Sequence, residues 1–274
     1  MSTKKFEIGL WVSISVTVLL VVVPIGPLVH TVVATPNLTN DLAFITDVRV
    51  MAYIRAMGTQ LSLTVTGTVY MSVLVLSAGY GLSLMKGFRG TVVAAFFIVP
   101  LVVRGGLIPT YILVRGIGLI DHPFVLLLAE RVDVLLILGS ALVLGRGDAP
   151  VLREAASIDG ANPVSAMLSV VLPAHPQLIT TVVALSALRF WNAWFPAFLY
   201  VHSRSLIPAQ NMLRSIAFRA DSGIASGIAP GVETVSELYI ALYALALLIP
   251  GLVITWVLRG AALSALTNNT KRKR

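Results

Sequence analysis

The chain has no cysteine among its 274 residues. That absence excludes a disulfide scaffold, cysteine-ligated zinc, iron–sulfur clusters and thiol catalysis. Charge is scarce as well. Asp, Glu, Lys and Arg make up 12% of the residues, against the roughly 25% with which soluble domains cover a water-facing surface. Acidic groups are the rarer sign, 12 against 20 Lys and Arg, which leaves a net charge of +8. A basic excess of that size can signal nucleic acid. Here the basic residues are scattered between apolar blocks and form no stripe with stacking aromatics, so nucleic acid is not a partner on this reading. No Gly-x-x-x-x-Gly-Lys-Ser/Thr run occurs, so the chain has no P-loop with which to hold ATP itself. His30, His122, His175 and His202 are widely spaced, and no metal cluster follows from them.

What is present in quantity is apolar sequence: 57% of residues are hydrophobic and the mean hydropathy is +0.91. A helix needs about 20 apolar residues to cross a bilayer with its backbone groups paired internally. The pattern predicts an all-α membrane protein, a single transmembrane domain over 1–274, with six spans at about 8–29, 61–85, 91–111, 123–144, 178–201 and 238–258. The first is read as a retained helix and not as a signal peptide. It is longer than an ordinary signal core, and Thr35-Pro36-Asn37-Leu38 follows it where a small-residue cleavage site would stand. The third is interrupted by Arg104, Gly105, Gly106 and Pro109.

Orientation follows the Lys and Arg of the flanks. With the N-terminus in the cytoplasm, eleven of the twenty basic residues lie inside, among them Lys86, Arg89, Arg146, Arg153 and the Lys-Arg-Lys-Arg tail. Both termini are therefore expected in the cytoplasm, 30–60 and 202–237 become the long outer connections, and 145–177 the long inner one.

The inner connection contains Arg153-Glu154-Ala155-Ala156-Ser157-Ile158-Asp159-Gly160-Ala161-Asn162-Pro163. Pro150 suits the start of a helix, and Glu154, Ala155 and Ala156 are strong helix formers. Gly160 and Pro163 end it. Composition alone predicts a short helix along the membrane surface, either a plain connector or a docking element with small residues that allow close approach. The longer spacing is more specific: Glu154-Ala155-Ala156, three residues, Gly160, nine residues, Val170, one residue, then Leu172-Pro173. It resembles the EAA motif of ABC-importer permeases. The resemblance implies the type I ABC-importer fold and a coupling helix, carried here by Glu154, Ala155, Ala156, Asp159, Gly160, Leu172 and Pro173, that docks on a separate ATP-hydrolysing subunit.

Two further stretches are similar to the carbohydrate, LplC-like branch of that family: Gly105-Gly106-Leu107-Ile108-Pro109-Thr110-Tyr111 with Gly118-Leu119, and Phe190-Trp191-Asn192-Ala193-Trp194-Phe195 with Leu206-Ile207-Pro208-Ala209-Gln210. What this implies is import of an oligosaccharide or polysaccharide fragment across the bacterial cytoplasmic membrane. The expected partners are a second permease subunit, two ATP-binding subunits that hold ATP and Mg, and an extracytoplasmic solute-binding lipoprotein or protein. The chain departs from the branch at Leu128-Ala129-Glu130-Arg131-Val132-Asp133 and at Leu144-Gly145-Arg146-Gly147-Asp148-Ala149.

Charges inside a span are costly and usually face the bundle interior or a water-filled path. Glu130 and Asp133 share a helix face if the fourth span is continuous, and Arg131 points about 100° away. Three readings of Glu130, Arg131, Asp133 and Arg189 stand together: they pair to join helices, they line the substrate path, or the span is shorter and they sit near the outer interface. Trp191, Asn192 and Trp194 offer flat apolar faces and an amide, chemistry that suits a sugar, though the tryptophans equally suit an interfacial belt. Pro196 is a further place where the backbone could open. Two alternatives to saccharide import are a permease for another solute and an intramembrane enzyme that uses Glu130 and Asp133. Beyond that pair no residue set suggests catalysis.

Overall fold

A computed structural model describes residues 26–30, 33, 48–103, 105–130, 132–221 and 240–256. Most of the first expected span, Arg131 and the basic tail lie outside the described residues. Among those described, every regular element is helical: α1 (Val48–Leu84), α2 (Gly87–Val102), α3 (Leu107–Gly116), α4 (Pro123–Leu128), α5 (Val134–Leu144), α6 (Ala149–Ile158), α7 (Pro163–Ala166), α8 (Pro176–Trp191), α9 (Trp194–Tyr200), α10 (Ala209–Asp221) and α11 (Ile240–Trp256). A widened π turn, Met167–Val171, follows α7.

The apolar pattern of α1 explains both its length and its packing. Tyr53, Ala56, Gln60, Leu63, Gly67, Met71, Val75 and Tyr80 recur at helical spacing and are buried. Leu61, Val65, Val69 and Val73 form another stripe that is apolar and exposed, as on a helix solvated by lipid. The hydroxyls of Thr64, Thr66, Thr68 and Ser77 donate to carbonyls one turn back, so few side-chain donors are left for an apolar solvent to reject. Two glycines on the buried side set the helix spacing. A Cβ at Gly67 would lie 2.4 Å from the Phe190 ring, and one at Gly79 2.6 Å from Ser140 Cβ. Small residues of this kind let membrane helices approach closely.

Among the described residues one helix, Val50–Leu84, is by itself long and apolar enough to cross a membrane, and up to four spans result if each bent pair counts as one. The bent pairs are α2 with α3, α5 with α6 at 67°, and the α7–π segment with α8 at 96°. Several expected boundaries need correction. The helix drawn at 61–85 begins at Val48, so part of the supposed outer connection is helical. The third span is two helices, parted around Gly106 with its φ of +81°. The fourth, expected as one helix over 123–144, is α4 and α5 separated by Ala129 to Asp133, because Asp133 caps a new helix and does not continue the old one. The fifth, expected over 178–201, breaks at Asn192 and Ala193. Pro196 is not the cause. It falls in the first turn of α9, where no backbone donor is required.

The described residues form two compact units. One includes the start of α1 through Ala56 together with 209–250, where the Tyr53 ring stacks on Tyr243 at 3.9 Å and its hydroxyl donates to the Tyr243 carbonyl at 2.6 Å. The other, built on Met57–Pro208, holds the main core, with Met71, Val75, Ile137, Leu144, Val171 and Phe190 at its centre. Both candidate sites lie in this second unit.

Candidate functional site

The inner connection folds as a sequence of stops and turns. Pro150 stands in the first turn of α6. The helix ends in a Schellman arrangement: Gly160, at φ +80°, donates to the Ser157 carbonyl at 3.1 Å and Ala161 to the Ala156 carbonyl at 2.9 Å. Only glycine takes that φ without strain. Asn162 then caps α7, accepting from the Ser165 amide at 2.8 Å, with Pro163 in the first turn. The π turn follows, closed by Leu172 N–H on the Met167 carbonyl at 2.9 Å, and Leu172 is buried while Pro173 is exposed at the corner into α8.

This geometry divides the residues of α6. Ala149 and Ala156 are buried and hold the helix to the core. Glu154, Ala155 and Asp159 are exposed. Val151, Ala155 and Ile158 fall at i, i+4 and i+7, and Val151 and Ile158 are 66% and 81% exposed. The result is an apolar stripe, bordered by acids, that the described residues leave uncovered.

The second cluster lies where the chain breaks between α4 and α5 and between α8 and α9. Arg189, in the last turn of α8, donates from Nε to Glu130 Oε2 at 3.0 Å and from Nη1 to Asp133 Oδ2 at 2.8 Å. Asp133 also caps α5, its Oδ1 accepting from the Leu136 amide at 3.2 Å. A guanidinium presents its donors in a fork and can serve two carboxylates at once. Its charge also suits the negative end of α8. The carbonyls exposed by the break in α8 are met from α1 and from the break itself. Gln60, fully buried, donates from Nε2 to Phe190 and Trp191 at 3.2 and 3.0 Å, and Asn192 Nδ2 donates to Leu188 at 2.8 Å. Interrupted helices are tolerated at membrane depth when freed backbone groups find such partners.

Of the aromatic residues proposed for a sugar platform, Trp191 is buried at 3% exposure, and Trp194 is open at 39% with its ring edge-on to Phe195. Asn192 is exposed. Trp194 and Asn192 are thus open at the surface, and Trp191 packs inward. Arg131 falls outside the described residues. Sequence reasoning missed Gln60, although its position on the buried stripe of α1, seven residues from both Tyr53 and Gly67, was a usable signal.

It also missed Asp121. This residue adopts φ +58° between α3 and α4, and Oδ1 accepts from the amides of His202 and Ser203 at 2.6 and 2.8 Å. Its own N–H donates to the Tyr200 carbonyl at 3.0 Å. The carboxyl clips the α3–α4 connection to the one that follows α9. The two backbone donors, Ser203 first and His202 next, hold its pKa below the usual carboxylate value.

Comparison with known proteins concerns the chain as a whole. No family model matches. The chain is 27% identical to Protein LplC of Bacillus subtilis over 178 residues, 64% of this chain and 59% of that protein. It is 30% identical over 181 residues to the polygalacturonan/rhamnogalacturonan transport system permease protein YtcP of the same organism, 63% of this chain and 62% of YtcP. The chain is thus similar to two bacterial proteins, one of them named as a transport system permease. It spans about three fifths of the length of these curated relatives. Its fold is that of a chain in the crystal structure of a bacterial ABC transporter involved in import of the acidic polysaccharide alginate, with a TM-score of 0.73, 19% identity, and 94% and 97% of the two chains covered.

Two outcomes follow from these geometries. Arg189→Met leaves Glu130 and Asp133 without their shared cation. A loss of about 1–3 kcal/mol is expected, less than for a fully buried pair because a third of the arginine side chain is exposed. Adding Glu130→Gln and Asp133→Asn should restore part of it, as read by thermal unfolding in detergent; equal losses in single and triple variants would mean that the three groups act independently. For Asp121 the folded pKa is depressed, so its stabilisation is present above the ordinary carboxylate pKa and is lost as pH falls through the lowered one. Protection of the His202 and Ser203 amides, taken relative to their intrinsic exchange rates, should therefore fall on acidification in the wild type. A protection that ignores pH in this window would contradict the clip.

Proposed function

We propose that this chain is a membrane-spanning permease subunit of an ATP-driven importer, forming half of the translocation path for an oligosaccharide or polysaccharide fragment. The observation that carries the reading is the inner segment, in which an EAA-type spacing coincides with a short helix, a Schellman stop at Gly160 and an uncovered apolar stripe. An uncovered stripe on a helix so firmly ended suits a rigid lever that another protein grips. The partner is an ATP-binding subunit, present as a pair, which holds ATP and Mg and performs the hydrolysis. A second permease subunit completes the pore, and an extracytoplasmic binding protein delivers the cargo. The chain resides in the bacterial cytoplasmic membrane with six spans and both termini inside. The unbroken run from Ile8 and the basic tail support that topology.

The saccharide reading draws support from YtcP, named for polygalacturonan and rhamnogalacturonan, and from the alginate transporter. Within the chain, Trp194 and Asn192 sit beside the helix break and supply an aromatic face and an amide. Glu130, Asp133 and Arg189 act first as a brace, since each carboxylate already accepts from the guanidinium. Carboxylates already bound to a guanidinium have less freedom to meet a substrate, which disfavours the intramembrane-enzyme alternative.

The test is uptake by cells that express the chain with its partner subunits. Glu154→Ala with Gly160→Val should leave the protein inserted and assembled while uptake falls by at least about tenfold, the effect of losing a coupling contact worth some 1.4 kcal/mol. Wild-type uptake by a well-expressed double variant would overturn the coupling assignment.

A further inference from the structure

Between the π turn and α8 the chain bends by 96°, and two prolines decide how. Pro173 and Pro176 bring no N–H, and a residue that precedes proline is kept out of the helical region. His175, before Pro176, accordingly stands at φ −122° and ψ 58°. The winding tightens over successive donors. Leu172 N–H reaches five residues back to the Met167 carbonyl at 2.9 Å, Ala174 four back to Val170 at 3.2 Å, and His175 three back to Leu172 at 2.9 Å. In a regular helix the His175 N–H would go to Val171, and the Leu172 carbonyl would wait for position 176, where proline has no donor. The Val171 carbonyl is therefore left without its main-chain donor, on a residue that is 1% exposed. A buried carbonyl without a partner is costly. The ring of His175 meets it, with Nδ1 2.8 Å from that oxygen. A carbonyl only accepts, so Nδ1 carries the hydrogen. The His175 carbonyl then accepts from the Leu178 and Ile179 amides at 3.1 and 3.3 Å and starts α8. By its amide, its ring and its carbonyl, one residue closes the inner segment and opens the helix after it.

We infer that His175 is the positioning residue of this joint, its imidazole fixing the angle at which the inner segment meets α8. The α6 helix packs on α7 and on the π turn. Val171 and Leu172, next to the joint, belong to the same core as Phe190 near the far end of α8. The helix runs unbroken from the joint through Arg189 to the interruption at Asn192. A displacement of α6 therefore reaches that interruption through the angle that His175 holds. An apolar side chain in its place leaves the Val171 carbonyl unmet and the corner free to open. This consequence for transport rests on the importer reading; the fixed angle does not.

The experiment has two arms. In the first, spin labels are placed at Val164 on α7 and Val183 on α8, both exposed, in the full chain, which holds no other cysteine. In nanodiscs the wild-type joint should give one narrow distance between the labels. His175→Leu should broaden or shift it, and His175→Asn, whose amide can stand where Nδ1 stands, should keep it. If the leucine variant is not recovered, His175→Gln takes its place, since its amide lies one bond further out and misses the carbonyl. The second arm measures solute carried per ATP hydrolysed by the chain assembled with its partner subunits. That ratio does not depend on how much protein folds, so a merely structural defect leaves it unchanged. The leucine variant should lower it by about fivefold, the weight of one hydrogen bond, and the asparagine variant should stay within about twofold of the wild type. A leucine variant with the wild-type distance, an asparagine variant that behaves as leucine does, or an altered distance with an unaltered ratio would overturn the positioning role. A joint that responds to these substitutions in a chain that transports nothing sinks the importer reading alone. A transporting complex whose leucine variant keeps both the distance and the ratio sinks this inference alone.

Discussion

Arg189 holds the second unit together at its weakest place. Two runs of helix are interrupted, one between α4 and α5 and the other between α8 and α9, and each interruption frees backbone groups that must find other partners. One guanidinium joins the two breaks by binding Glu130 and Asp133 together. Asp133 turns the same contact into a helix cap, and Gln60 reaches from α1 to the carbonyls at the end of α8. Without these bonds, two helix ends would be left in an apolar medium with orphan groups and an unpaired charge. With them, the interrupted backbone becomes a fixed feature beside which Asn192 and Trp194 stand exposed.

The same unit carries the inner segment, and the connection is mechanical. The core that buries Phe190 also buries Leu144, Ala149, Val171 and Leu172. The α6 helix is thus anchored at its base and corner while its outer stripe stays open. Protein interiors are close-packed, so a push on such a helix is transmitted to the elements beneath it and not absorbed locally. Gly79, pressed against Ser140, brings α1 within backbone distance of α5 at the same level of the structure.

How much of this could be read from the sequence depended on the range of the interactions. The α6 helix, its Pro150 start and its Gly160 stop are local, and residue types a few positions apart specify them. The apolar stripe of α1 was likewise written in its spacing. The breaks in spans four and five were not, because hydropathy averages over a window and sees apolar residues on both sides. Pro196 drew attention as a breaker although Asn192 and Ala193 form the interruption. The pairing of Arg189 with Glu130 and Asp133 was among the expected readings, but its choice over the others required residues 56 and more positions apart to be placed together. Gln60 and Asp121 act through backbone groups on distant segments, and residue type alone carries little sign of such roles.

The central claim is that the uncovered stripe of α6 seats a nucleotide-driven partner. The absence of native cysteine makes it directly accessible to cross-linking. Single cysteines placed at Val151, Ala155, Ala156 and Ile158 can be tested against a cysteine series on the co-expressed ATP-binding subunit, with and without nucleotide. Cross-links from Val151, Ala155 and Ile158 whose yield changes with nucleotide, and none from the buried Ala156, are predicted. Cross-links from none of the exposed positions, or yields indifferent to nucleotide, would contradict the account.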